Sequence, residues 1–261
     1  MHWLTATDVV PANDRGLAYG DGLFETMRVR SARIPWLARH LARLQIGLQR
    51  LAIAGVDLAL VECRLQRLAA ESAIDAGWLK LIVTRGSGER GYRAAGSLQP
   101  RLIVQTGRTA AAPEALRLIV CKTLVPLDTQ LAGIKHLNRL PQVLGAAELA
   151  GNEADEGLMC NPHGELVCGI MHNVFIVTDN RVLTPSLAQG GVAGIMRDWV
   201  IDTIDVDIQA IRPQALSNAQ EVFVTNAVRG VRSASHISGT ALPDNTPVAD
   251  QLRDRLERAW Q

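Results

Sequence analysis

The chain has 261 residues, 48% of them hydrophobic, enough for one large domain or two modest ones. With 27 Lys+Arg against 26 Asp+Glu, no global field points to nucleic acid or to a membrane surface. No apolar run reaches the roughly 18–20 residues of a membrane span. Without C-x-x-C spacing or a signal peptide, Cys63, Cys121, Cys160 and Cys168 read as reduced thiols of a soluble cytoplasmic protein.

The first informative stretch is Asn13-Asp14-Arg15-Gly16-Leu17-Ala18-Tyr19-Gly20-Asp21-Gly22-Leu23-Phe24-Glu25-Thr26-Met27-Arg28-Val29. Gly20-Asp21-Gly22 marks a turn, and residues 23–29 alternate as a strand does. An amphipathic helix follows over residues 35–51, with Leu37, Leu41, Leu44, Leu48 and Leu51 at helical spacing. Arg43 lies about 120° from that stripe, so periodicity alone makes it a solvated arginine. A second helix is predicted over residues 58–70.

Residues 80–84 and 101–105 read as buried strands. The connection between them carries Arg85-Gly86-Ser87-Gly88-Glu89-Arg90-Gly91-Tyr92-Arg93, with Gly96 further on. A connection of this length is either mobile and solvated or functional, and its arginines suit an anionic ligand through bidentate pairing. Small, irregular residues 107–113 make the best linker. They divide the chain into an N-terminal domain, residues 1–107, and a C-terminal one, residues 114–261, with 108–113 between.

Lysine is scarce, at positions 80, 122 and 135 only. Lys135 stands in Gly133-Ile134-Lys135-His136-Leu137-Asn138-Arg139-Leu140-Pro141-Gln142-Val143-Leu144, just ahead of a predicted helix. There Leu140, Val143, Leu144 and Ala147 form an apolar face, and Pro141 suits the first turn. A lysine covering a helix end would look the same. An amine that must lose its proton and attack a carbonyl, however, could not be replaced by arginine.

Beyond it, Asn161-Pro162-His163-Gly164 and Asp179-Asn180 are turns flanking strands at 166–167 and 174–177. Gln189-Gly190-Gly191-Val192-Ala193-Gly194-Ile195-Met196 then opens a helix through Trp199 and Val200. Such a turn offers unpaired N–H groups to a phosphate, though it is neither G-x-G-x-x-G nor a P-loop. Residues 221–225 form another strand, ending in Asn226-Ala227, and residues 248–260 a last helix. The scattered histidines show no H-E-x-x-H, and no G-x-S-x-G supports a hydrolase. What remains is a constrained lysine, a phosphate cup and an arginine-bearing loop, the parts a pyridoxal 5′-phosphate enzyme needs.

The motifs running from Asp14 to Thr26, from Thr84 to Tyr92 and from Lys135 to Leu144 resemble, in that order, those of the fold-type IV pyridoxal-phosphate enzymes. The resemblance covers nearly the whole chain and is strongest to members that cleave 4-amino-4-deoxychorismate to 4-aminobenzoate and pyruvate. It implies an α/β (α+β) fold of two domains, the smaller N-terminal and the larger a C-terminal pseudo-barrel, with the cofactor between them in each half of a homodimer. Lys135 would hold pyridoxal phosphate covalently and act as general base. Arg43 would bind the phosphate, overriding its solvated reading, together with the backbone at Gly194, Ile195 and Met196. Asn226 and Ala227 would close over the cofactor, and Tyr19 and Phe24 would line the substrate pocket. Arg90 and Tyr92 are the candidates for the substrate's carboxylates. One position departs: where the family commonly has a glutamate against the pyridine nitrogen stands Cys168, with Glu165 three positions away. Two other readings stay open, an aminotransferase of the same fold for D-amino or branched-chain acids, and a phosphate-ligand binder without activity.

Overall fold

In a computed structural model, described over residues 1–4, 8–71, 76–94, 98–111 and 113–260, the chain divides into two units. Gly96 of the arginine-bearing loop and Ala112 of the expected linker lie outside the described residues. One unit is Met1–Ala110 with Ile134–Asn138, the other Ala111–Gly133 with Arg139–Gln261. The second thus surrounds, in sequence, a five-residue piece of the first, the piece that carries Lys135.

The first unit runs β1 (His2–Leu4), α1 (Arg15–Tyr19), β2 (Gly22–Arg30), α2 (Leu37–Arg50), α3 (Leu58–Glu71), β3 (Ala76–Thr84) and β4 (Arg101–Arg108). Its sheet has the order β1-β4-β3-β2, antiparallel except for β1 against β4. Alternation along β2 sends Leu23, Glu25, Met27 and Val29 to a buried face and leaves Phe24, Thr26 and Arg28 half-exposed on the other. The leucine stripe of α2 is buried with that first face, each side chain contributing about 1.5–3 kcal/mol. This helix begins at Leu37 rather than residue 35, because Trp36 at its N-cap is left-handed (φ 54°). Strand β3 starts four residues ahead of Lys80, and β4 runs on through Gly107 and Arg108. Gly77 pairs with Arg108, so the sheet takes the first residues of the expected linker.

The second unit contains β5 (Leu116–Val120), α4 (Leu140–Ala147), β6 (Glu156–Cys160), β7 (Leu166–Gly169), β8 (Asn173–Thr178), β9 (Arg181–Pro185) and α5 (Ile195–Thr203). After them come β10 (Asp207–Gln209), a 3-10 turn at Pro213–Asn218, β11 (Glu221–Asn226), β12 (Gly230–Ile237), β13 (Thr240–Ala241) and α6 (Pro247–Ala259). All nine strands share one sheet, ordered β10-β9-β8-β11-β12-β5-β6-β7, with β13 on β12. One apolar cluster draws Leu118, Leu158, Leu166, Val174, Leu183, Val222 and Ala234 from seven of those strands. A flat sheet cannot bring strands so far apart in order into one core; this one curls around it, as a pseudo-barrel does.

The helix expected after Lys135 is present, but its apolar face is not core. Leu140 is 73% exposed, Val143 59% and Leu144 58%, while Gly145 is the buried position, against Met159 and Ile170. Periodicity gave the helix; it did not say what covers its face. Among the described residues no helix is long and apolar enough to cross a membrane.

Candidate active site

Lys135 is held by its backbone. The Phe24 N–H donates to the Lys135 carbonyl (2.9 Å) and the Leu137 N–H to the Gly22 carbonyl (3.0 Å), so residues 135–137 lie along β2 in the manner of a further strand. Ile134, 1% exposed, anchors the start. The Gly20-Asp21-Gly22 turn, weak as a sequence signal, gains a reason here. A Cβ on Gly22 would fall 2.3 Å from the Val83 carbonyl oxygen and 2.7 Å from Leu137 Cδ1, and one on Gly20 2.2 Å from Asn138 Oδ1. Only glycine lets the lysine segment come this close.

The Lys135 ammonium lies 4.5 Å from the centroid of the Phe24 ring, and that of Lys80 lies 5.2 Å from the same ring. Lys80 pairs with Thr26 across β2 and β3, on the half-exposed face with Phe24. The scarcity of lysine that singled out Lys135 applied equally to Lys80, and sequence reasoning left it unused.

Arg43 is not a solvated arginine: its side chain is 10% exposed. Its Nε donates to Glu25 Oε1 (2.8 Å) and a terminal nitrogen donates to Glu25 Oε2. His40 Nδ1 meets the same carboxylate at 2.6 Å. Burial alone would raise the Glu25 pKa, but the Arg43 charge and the His40 and Arg43 hydrogen bonds outweigh it and hold it at about 2. Burial lowers His40, so the imidazole is neutral and donates through Nδ1. The missing signal was on β2: Glu25, a carboxylate at a core-facing position, requires a partner.

Tyr19 and Phe24 are half-buried, whereas Arg90 and Tyr92 are exposed, Tyr92 to 87%. Tyr19 ties that loop down, its hydroxyl accepting the Gly91 N–H (3.0 Å) and its ring meeting Tyr92 edge to face at 5.4 Å.

In the second unit, Gly194 is the N-cap of α5 and supplies no side-chain cap, which leaves the first N–H groups of the helix, those of Ile195 and Met196 among them, available. Both side chains are buried, so the backbone is what the helix presents there. Gly191 and Ala193 fix the turn through hydrogen bonds to Gly133, two residues before Lys135 in the chain (2.9 and 3.0 Å). Asn173 lies against Gly194, where a Cβ would fall 2.0 Å from its Oδ1, and donates to the Val192 carbonyl. Thr225 pairs with Asn173 across β8 and β11, and its buried hydroxyl has no hydrogen-bond partner among the described residues. A helix N-terminus without a cap and an orphaned hydroxyl one strand away fit a phosphate. Asn226 Oδ1 accepts from the N–H groups of Val228 and Arg229 and its Nδ2 donates to the Met171 carbonyl, so its side chain is engaged and the backbone is what it and Ala227 can offer.

Cys168 sits in an apolar cluster with Cys121, Val125, Met159 and Val167. Glu156, on the neighbouring β6, is engaged by His172 and by the N–H groups of Gly157, Ile170 and Met171. Glu165 accepts from the Asn161 side chain (3.0 Å). Among the described residues no cluster of His, Cys, Asp or Glu could hold a metal ion.

The family model for amino-transferase class IV matches residues 22–237. An aminodeoxychorismate lyase from Vibrio harveyi is 30% identical over 246 residues, 90% of this chain and 89% of that one. The crystal structure of 4-amino-4-deoxychorismate lyase from Pseudomonas aeruginosa superposes with a TM-score of 0.90 at 37% identity, covering 97% of this chain and 96% of the other. A hypothetical aminotransferase from Mycobacterium tuberculosis, in its PLP-bound form, has the same fold (TM-score 0.81, 24% identity, 97% and 94% covered).

Proposed function

The chain belongs to the class IV aminotransferases, a family that works with pyridoxal phosphate, and within it we propose an aminodeoxychorismate lyase that forms 4-aminobenzoate and pyruvate, a step towards folate. The observation that carries the choice is the cationic face around Phe24. The substrate bears two carboxylates, one on the ring and one on the enolpyruvyl group, whereas a simple amino acid bears one. Lys80, on the same aromatic ring as Lys135, supplies a cation beyond what Arg90 alone gives.

Lys135 is the amine that holds the cofactor. Arg43, the N–H groups at Gly194, Ile195 and Met196, and the backbone at Asn226 and Ala227 take its phosphate and edge; Thr225 offers a hydroxyl. Bound pyridoxal phosphate supplies an aldehyde to capture the substrate's amine and a ring that draws electrons from the carbon bearing it. Displaced from the cofactor by the substrate's amine, Lys135 Nζ would be free to remove the proton from that carbon, and on taking its place back would release 4-aminobenzoate. Departure of the enolpyruvyl oxygen from the neighbouring carbon leaves an aromatic ring, which drives the step, and Lys135 returns the proton as the enol becomes pyruvate. Phe24 and Tyr19 line the pocket and keep the amine in a partly apolar setting.

The enzyme works as a cytoplasmic homodimer on a small-molecule substrate and acts on neither nucleic acid nor membrane. The exposed apolar face of α4 supports the dimer, since a second copy would cover it, and the absence of a disulfide among the four cysteines suits the compartment. The deciding experiment is an absorbance spectrum of the purified protein followed by incubation with aminodeoxychorismate. Release of 4-aminobenzoate and pyruvate supports the lyase. Pyridoxamine phosphate and a keto acid formed from D-amino or branched-chain amino acids would favour the transaminase, and no bound chromophore the inactive binder.

A further inference from the structure

Arg15 is 4% exposed, and each of its three guanidinium nitrogens donates a hydrogen bond within the first unit. Nε donates to Asp21 (2.9 Å), one terminal nitrogen to the Gly91 carbonyl (2.8 Å) and the other to the Tyr92 carbonyl (2.7 Å). Its guanidinium also lies over the Tyr19 ring, 5.0 Å from the centroid. Asp21 is shared: it accepts from Arg85 as well, at 2.7 and 3.0 Å, and Arg85 in turn holds the Leu51 and Ala52 carbonyls. The base of the same loop is secured separately, Asp14 pairing with Arg101 and accepting from Thr84. A loop that needed only to be closed would be complete with that base. The extra clamp grips the two carbonyls that follow Arg90, while Arg90 itself and the Tyr92 side chain point to solvent.

We propose that Arg15 is a positioning residue that presets residues 90–92 as a carboxylate clamp, so that the substrate meets Arg90 already oriented. The inference rests on the carboxylate role given to Arg90 above. An exposed arginine on an untethered, glycine-containing loop would have to lose its freedom at each binding event. Anchoring the backbone on a buried guanidinium removes most of that loss beforehand, and the gain appears in substrate affinity rather than in the chemical step.

The test is steady-state kinetics of the holoenzyme with aminodeoxychorismate, for Arg15→Lys, Arg90→Ala and the double variant, with the cofactor dissociation constant measured by dialysis. Arg15→Lys keeps a charge beside Asp21 but cannot hold both carbonyls. It should raise KM about tenfold, the weight of one charge-assisted hydrogen bond, with kcat within about twofold and cofactor affinity unaltered. Tryptic cleavage after Arg90 and Arg93 should quicken. In the Arg90→Ala background the same change should raise KM no further. Asp21→Asn, which loosens the clamp from its other side, should move KM in the same direction and serves if Arg15→Lys does not fold. If Arg90→Ala raises KM while Arg15→Lys does not, or multiplies with it, Arg15 does not act through the loop and the proposal is overturned. A cofactor affinity that falls with the substrate's would also overturn it, as general loosening. If Arg90→Ala leaves KM unchanged, the carboxylate reading itself fails and takes the proposal with it.

Discussion

Carboxylates serve different ends in the two units. In the first, Glu25 holds Arg43, and Asp21 holds Arg15 and Arg85. In the second, carboxylates chiefly face backbone amides: Glu156, besides meeting His172, takes the N–H groups of Gly157 on β6 and of Ile170 and Met171 before β8, Glu221 takes those of Val248 and Ala249 at the start of α6, and Glu148 takes those of Lys122 and Thr123. An ion pair of the first kind aims a charged side chain. A carboxylate among amides shapes a segment whose backbone does the binding. The difference teaches where each unit is vulnerable, the first to loss of charge and the second to loss of shape.

The largest expected effect asks whether the reacting amine comes from the first kind of region at all. Lys135→Ala should lose essentially all turnover, and borohydride should fix pyridoxal phosphate to Lys135. Trapping on Lys80 or Lys122 would move the chemistry elsewhere.

Next, Glu25→Gln should destabilise the protein by about 3–5 kcal/mol, because it removes the buried negative charge that Arg43 and His40 both face. Glu156→Gln should remove about 1–3 kcal/mol, since the amide oxygen still accepts from the backbone and the contact with His172 is what changes. The contrast has a pH signature. A folded-state pKa of about 2, against the ordinary 4.5, means that Glu25 stabilises fully above pH 4.5 and that this part is lost as pH falls towards 2. Its size is roughly 3 kcal/mol. Urea unfolding between pH 6 and pH 2 should therefore show a steep acid limb in the parent and a shallower one in Glu25→Gln. Equal limbs, or a larger loss in Glu156→Gln, would break the comparison.

Arg43→Ala sharpens it, separating the aimed cation from the carboxylate that aims it. One charge-assisted contact to the phosphate is worth roughly 1.5–3 kcal/mol of cofactor affinity. An unchanged dissociation constant would leave Arg43 as a partner of Glu25 and nothing more.

The smallest effect is expected at Cys168, where an apolar cluster stands in place of a carboxylate. A transaminase must hold a carbanion long enough to reprotonate it, and a weak electron sink hinders that. A lyase that expels a leaving group and gains aromaticity tolerates it. Cys168→Ser should keep most lyase activity, within about 1 kcal/mol of barrier, while Cys168→Glu should increase side transamination of amino acids. Abolished lyase activity in Cys168→Ser would give the thiol another role.

Local chemistry was enough for much of the chain. Leucine spacing specified α2, the glycines before Ile195 specified the start of α5, and the order of three motifs specified the family, since each depends on residues close together in sequence. Other features depended on partners distant in sequence. Arg43 reads as solvated until Glu25, eighteen positions away on another element, is placed beside it. Gly20 and Gly22 look like an ordinary turn until residues 135–138 arrive against them and leave no room for a Cβ. Arg15 stands in the first motif, but its role is not legible there, because what it holds is the backbone of residues 76 and 77 positions further on. The apolar stripe of α4 shows the limit most plainly: a helical period fixes which side chains share a face, and only the packing decides whether that face is core or surface.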